Sequence, residues 1–116
     1  MDNFDVPIFK KTYELYKAFF VLRATAPKKD RYTIWQKCEN NMLEILELII
    51  SASHKQKSEK GPVLERASLK LDVLRILIRL MKDIKSIDNK KYIAIETSID
   101  EIGRMLGGWI RSNTIK

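Results

Sequence analysis

Apolar residues recur three and four positions apart along most of this chain, and that spacing restricts it to helices. The clearest stretch is the last, where Tyr92, Ile95, Ile99, Ile102, Leu106 and Trp109 fall on one side of a helix. No segment alternates with the period of two that a half-buried strand needs, and no Asn-Gly or Asp-Gly pair offers a hairpin turn.

Punctuation divides the chain into four helical segments. The first, about 7–25, opens at Pro7, which suits a first turn because its missing N–H would be unpaired there anyway. It carries Ile8, Phe9, Tyr13, Leu15, Tyr16, Phe19, Phe20 and Leu22 and stops before the polar turn from Ala26 to Asp30. The second, 32–54, has Ile34, Cys38, Met42, Ile45, Ile49 and Ala52 as its apolar stripe. Its lysine-rich tail, Ser53 to Gly61, reads as a mobile loop. The third runs from Pro62 to Ile87 and the fourth over 90–112. Four helices joined by short turns predict a single all-α domain over 1–116, an up-down-up-down four-helix bundle.

The third helix has one apolar face too many. Leu64, Ala67, Leu71, Leu74, Ile78 and Met81 form one stripe. Leu69, Val73, Ile76, Leu77, Leu80, Ile84 and Ile87 form a second on roughly the opposite side. Either this helix lies unusually deep in its own bundle, or the second stripe meets another subunit. Water against such a face invites association, so Leu69, Val73, Ile76, Leu80 and Ile84 are the expected oligomer interface. A strip of Arg75, Arg79 and Lys82 lies between the stripes.

Three glycines interrupt the last helix at Gly103, Gly107 and Gly108, each costing a helix interior about 0.5–1 kcal/mol against alanine. They either admit close helix packing beside Trp109 or open the backbone to a ligand.

Catalytic constellations do not assemble from these residues. His54 is the single histidine and stands in a polar stretch; Cys38 sits on an apolar stripe, where a thiol acts as a small hydrophobe. Glu96 and Asp100 are four apart, a weak cation pair at best, and the Glu-x-x-His pattern of bundle metal sites is missing. The expectation is a non-enzyme without metal or cofactor. A lone cysteine fits a reducing cytoplasm. The acidic start Met1 to Asp5 does not read as a secretory signal, and the apolar runs are too short to span a membrane.

Charge supplies the functional hint. Lysine and arginine number 22 against 15 acidic residues, a formal net charge of +7, and a folded basic domain concentrates polyanions, nucleic acid foremost. The candidate phosphate contacts are Arg75, Arg79 and Lys82, then Arg104 and Arg111 seven apart on the last helix, and Lys28, Lys29 and Arg31 in the first turn. Such an array gives salt-dependent, sequence-independent binding. A platform of exposed aromatics for stacking bases is not evident.

With these parts in view the chain resembles the accessory variability determinant (Avd) proteins of diversity-generating retroelements. It is also similar to their relatives, the four-helix bundles encoded in intervening sequences of 23S ribosomal RNA genes. The carrying residues are Pro7-Ile8-Phe9-Lys10, Phe19-Phe20, Pro27 through Ile34, Leu43 through Ile49, and Ile102-Gly103-Arg104-Met105-Leu106-Gly107-Gly108-Trp109. The resemblance covers nearly the whole chain. It implies a barrel-like homopentamer and an essential partner of the retroelement's reverse transcriptase, engaging the enzyme and RNA or DNA through a basic surface matched here to Arg75, Arg79, Lys82 and Arg104. The intervening-sequence type implies instead a stand-alone nucleic-acid-binding bundle. A structural oligomer whose charge only aids solubility is the third alternative.

Overall fold

The computed structural model describes residues 6–114, so the leader reading of Met1 to Asp5 lies outside the described residues. All the regular structure among them is helical: α1 (Pro7–Arg23), α2 (Lys28–Arg31), α3 (Ile34–His54), α4 (Lys57–Asp83) and α5 (Asn89–Thr114). Four long helices carry the fold, and the four-residue α2 is an addition that periodicity cannot reveal. It sits where the sequence suggests only a turn. Arg31 fixes it there by donating from Nε to the Ala26 carbonyl at 3.1 Å and from Nη2 to the Ala24 carbonyl at 3.0 Å. Those bonds satisfy carbonyls just past the end of α1, which therefore stops at Arg23 rather than residue 25.

The expected loop over 53–61 is helix instead. Only Lys55 and Gln56 are extended, and α4 starts at Lys57 with Pro62 inside it. Proline is tolerated because it lies early in the helix and removes a single donor, the one that would reach the carbonyl of exposed Ser58. At its other end α4 stops at Asp83, not Ile87. The Ser86 N–H reaches back to the Met81 carbonyl at 2.8 Å and the Lys85 N–H to the Lys82 carbonyl at 3.0 Å, a Schellman closure. Ile87 is consequently buried in the turn and belongs to the core, not to the second stripe of α4.

The body measures 48 × 24 × 21 Å. α3 packs on α4, α4 on α5, and α1 on both α3 and α5. The helical stripes meet in one core: Phe19 from α1, Met42, Ile45 and Ile49 from α3, Leu64, Leu74, Ile78 and Met81 from α4, and Ile99, Ile102 and Leu106 from α5. Trp35 joins them, its ring stacked on Phe19 at 4.7 Å and its indole N–H donated to Ser86 Oγ at 2.8 Å. That bond ties the start of α3 to the α4–α5 turn. Cys38 is buried with Sγ 3.6 Å from Met81 Sδ. Burial, helped by the neighbouring Glu39 carboxylate, pushes its thiol pKa to about 12.

Candidate nucleic-acid interface

The period that sends Leu71, Leu74 and Ile78 of α4 into the core places Arg75 on the flank nearest α5. There its Nη1 contacts Asp72 Oδ1 at 3.1 Å and its Nε contacts Asp100 Oδ1 of α5 at 3.6 Å. The guanidinium lies over Gly103. A Cβ built on Gly103 would stand 2.5 Å from Arg75 Nη2 and 3.5 Å from Leu71 Cδ2. The space above this glycine is filled by an arginine side chain from α4 and not by a second backbone.

One turn further, the position a Cβ would take on Gly107 lies 3.4 Å from Arg111 Nη1, and that on Gly108 lies 3.9 Å from Arg111 Nη2. Arg75, Arg104 and Arg111 surround a trough of about 450 Å³ floored by Gly103 and Gly107, with Asp100 the one carboxylate on its wall. Arg104 and Arg111 have no ion-pair partner among the described residues. Guanidinium groups with spare donors take phosphate oxygens bidentately. Trp109, grouped with these glycines in the sequence, is half-buried against the core with Lys60 Nζ 5.4 Å from its ring centre.

The remaining basic candidates are dispersed. Arg79 is exposed and pairs with Asp83 at 3.7 Å, and Lys82 lies 4.8 Å above the Tyr92 ring. Tyr92 donates its hydroxyl to Glu96 Oε2 at 2.7 Å, and that bond, with burial, raises its pKa. Glu96 and Asp100 accordingly serve different partners, Tyr92 and Arg75, instead of sharing a cation. Lys28 and Lys29 are exposed on α2, remote in sequence from the trough, while Arg31 is committed to the two carbonyls that close α1. His54 is exposed at the end of α3, and no three of His, Cys, Asp and Glu among the described residues gather as a metal cluster.

The second stripe of α4 faces outward. Leu69, Val73, Ile76, Leu80 and Ile84 are all exposed, Ile76 to 68%, whereas Leu77 is half-buried. A separate apolar patch lies on α1, where Tyr16, Phe20 and Val21 line a shallow depression of about 330 Å³. Two aromatic rings are exposed, Phe20 and Tyr32. Phe20 is packed near Tyr16, and the Arg23 guanidinium lies 5.1 Å from the Tyr32 ring centre, so neither ring adjoins the trough.

Sequence reasoning missed one buried pair. Glu39 turns inward on α3 and accepts from Arg23 Nη1 of α1 at 2.8 Å, while its other oxygen has no partner. The only hint was a charged residue beside Cys38 on the buried side of the helix. No helix among the described residues is long and apolar enough to cross a membrane.

Set against known proteins, residues 7–113 match the model of the family described as bAvd-like. No curated protein matches the chain.

Proposed function

The chain belongs to the bAvd-like family, and from that premise we propose that it is a non-catalytic accessory protein of a diversity-generating retroelement. It binds the reverse transcriptase together with template RNA and its cDNA, and the mutagenic chemistry belongs to that partner. The observation that carries the nucleic-acid half of this reading is the trough between α4 and α5. Arg104 and Arg111 keep their charge uncompensated there, beside a third guanidinium held over glycine. Strand phosphates suit it in size and charge, and nothing in it reads bases, so binding is blind to sequence.

Assembly follows from the two apolar patches. α1 and α4 each pack against α3 and α5, so the α4 stripe and the α1 patch belong to separate faces. Mating one patch with the other on the next copy is a head-to-tail contact, which generates rings when the rotation closes. A homopentamer in the cytoplasm is the form we propose. It repeats the arginine trough once per subunit around the ring, within reach of one strand and of the transcriptase.

The test is a salt titration of single-stranded RNA and DNA binding by the wild type and by the R104Q/R111Q double variant. Loss of two phosphate contacts lowers the slope of log affinity against log salt by roughly 1.4. Co-purification with the retroelement transcriptase checks the protein half. An unchanged slope removes the trough from the interface.

A further inference from the structure

The α4–α5 turn holds a second basic cavity, about 610 Å³ in volume, that the strand-binding reading does not use. Three lysines line it from three different segments: Lys82 from the last turn of α4, Lys85 from the turn itself and Lys91 from the first turn of α5. Asn89 adds an amide, and Pro27, Trp35 and Ile87 supply an apolar wall. The one carboxylate, Asp88, is already engaged. It accepts the Lys91 backbone N–H at 2.8 Å as the cap of α5 and pairs with Lys91 Nζ at 3.6 Å. Lys82 and Lys85 have no carboxylate partner among the described residues.

Lys85 is also the one non-glycine residue among those described whose φ is positive, at 62°. It occupies the left-handed position of the Schellman closure, which glycine fills at least steric cost. Glycine would end α4 equally well, so helix termination does not account for a lysine here. What lysine adds is a positively charged side chain on the lining of the cavity. Strain kept at one residue is a common mark of a functional position.

We propose that this cavity binds a terminal phosphate group. A phosphomonoester carries about two negative charges near neutral pH, with three strong acceptor oxygens. That matches a cavity lined by three lysines, two of them without a carboxylate partner among the described residues, better than the single charge of a strand's internal diester does. The monoester comes either from a free nucleotide or from the 5′ end of a strand, and the apolar wall beside the lysines accommodates the attached nucleoside. This inference stands on its own residues and does not depend on the arginine trough.

Calorimetric titration with inorganic pyrophosphate tests it, using the full chain as wild type, K85G, K85N and, as a charge-matched control, K37Q. Lys37 is exposed on α3, away from the cavity. The expected result is saturable binding that weakens about tenfold in both Lys85 variants and is unchanged in K37Q. Both variants tolerate the left-handed backbone, so they melt no lower than the wild type and a folding defect does not mimic the loss. Absent pyrophosphate binding, or wild-type affinity retained in both K85G and K85N, overturns the proposal. A second arm compares 5′-phosphorylated and 5′-hydroxyl oligonucleotides of one sequence. A preference for the phosphorylated strand that vanishes in K85G identifies strand ends as the source. Equal binding of the two strands, with pyrophosphate still bound, identifies the free nucleotide.

Discussion

α3 and α4 lie side by side, contribute comparable inner faces to one core, and differ completely on the outside. α3 sends Trp35, Cys38, Met42, Ile45, Ile49 and Ala52 inward and, apart from Leu43, shows water polar residues such as Lys37, Asn40 and Glu47. α4 buries Leu64, Leu71, Leu74, Ile78 and Met81 just as thoroughly, then presents Leu69, Val73, Ile76, Leu80 and Ile84 on its far side. Full burial of one such side chain stabilises by about 1.5–3 kcal/mol. The hydrophobic content of α3 is used largely within the chain, whereas Leu69, Val73, Ile76, Leu80 and Ile84 keep 37–68% of their surface in water. The proposed assembly therefore draws on a face that folding leaves exposed, and the two can be perturbed separately.

The largest effect is expected from the outer face of α4. Replacing Ile76 and Leu80 together with lysine leaves the helical circular-dichroism signal intact and reduces the light-scattering mass to one subunit. Loss of helix in that variant would contradict the separation of faces.

Next in size is a matched pair of truncations. Ile45→Ala on the inner face of α3 lowers unfolding free energy by about 2–5 kcal/mol. Ile76→Ala, measured in urea at a dilution where single subunits dominate, changes it by less than about 0.5 kcal/mol. Equal losses at the two sites would place Ile76 in the core.

The smallest effect concerns the sealed inner face of α3. The Cys38 thiol, buried and pushed to about 12, is unreactive toward a water-soluble disulfide reagent at pH 8 and reacts fully in denaturant. Reaction without denaturant would show that the packing of α3 on α4 opens readily.

Much of the fold was legible because a helix that buries one face must repeat its apolar residues. The stripes of α3, α4 and α5 could be read directly, as could the surplus stripe of α4. Boundaries were harder. Pro62 resembles a helix start because proline is favoured there, yet it rides inside α4 because the carbonyl it leaves unpaired is exposed to water. The left-handed Lys85 had no signature, since lysine is not the residue that a Schellman closure favours. Of the trough, Gly103, Arg104, Gly107 and Arg111 stand together in sequence, and Arg75 followed from the face of α4. That Asp72 and Asp100 claim Arg75 while Arg104 and Arg111 stay uncompensated depends on how side chains meet across helices. Periodicity contains no record of that.

The space above Gly103 has a consequence for inherited variation. Every single-nucleotide change that alters a glycine codon's amino acid and spares the reading frame introduces a side chain, and even the smallest, alanine, puts a methyl group 2.5 Å from the present position of Arg75 Nη2. The atom it meets is the tip of a flexible arginine, so the fold absorbs the intrusion, and helix propensity favours the newcomer by about 1 kcal/mol. Such an allele would yield an abundant, well-folded product that passes any screen for stability. Its defect would lie only in where one positive charge points.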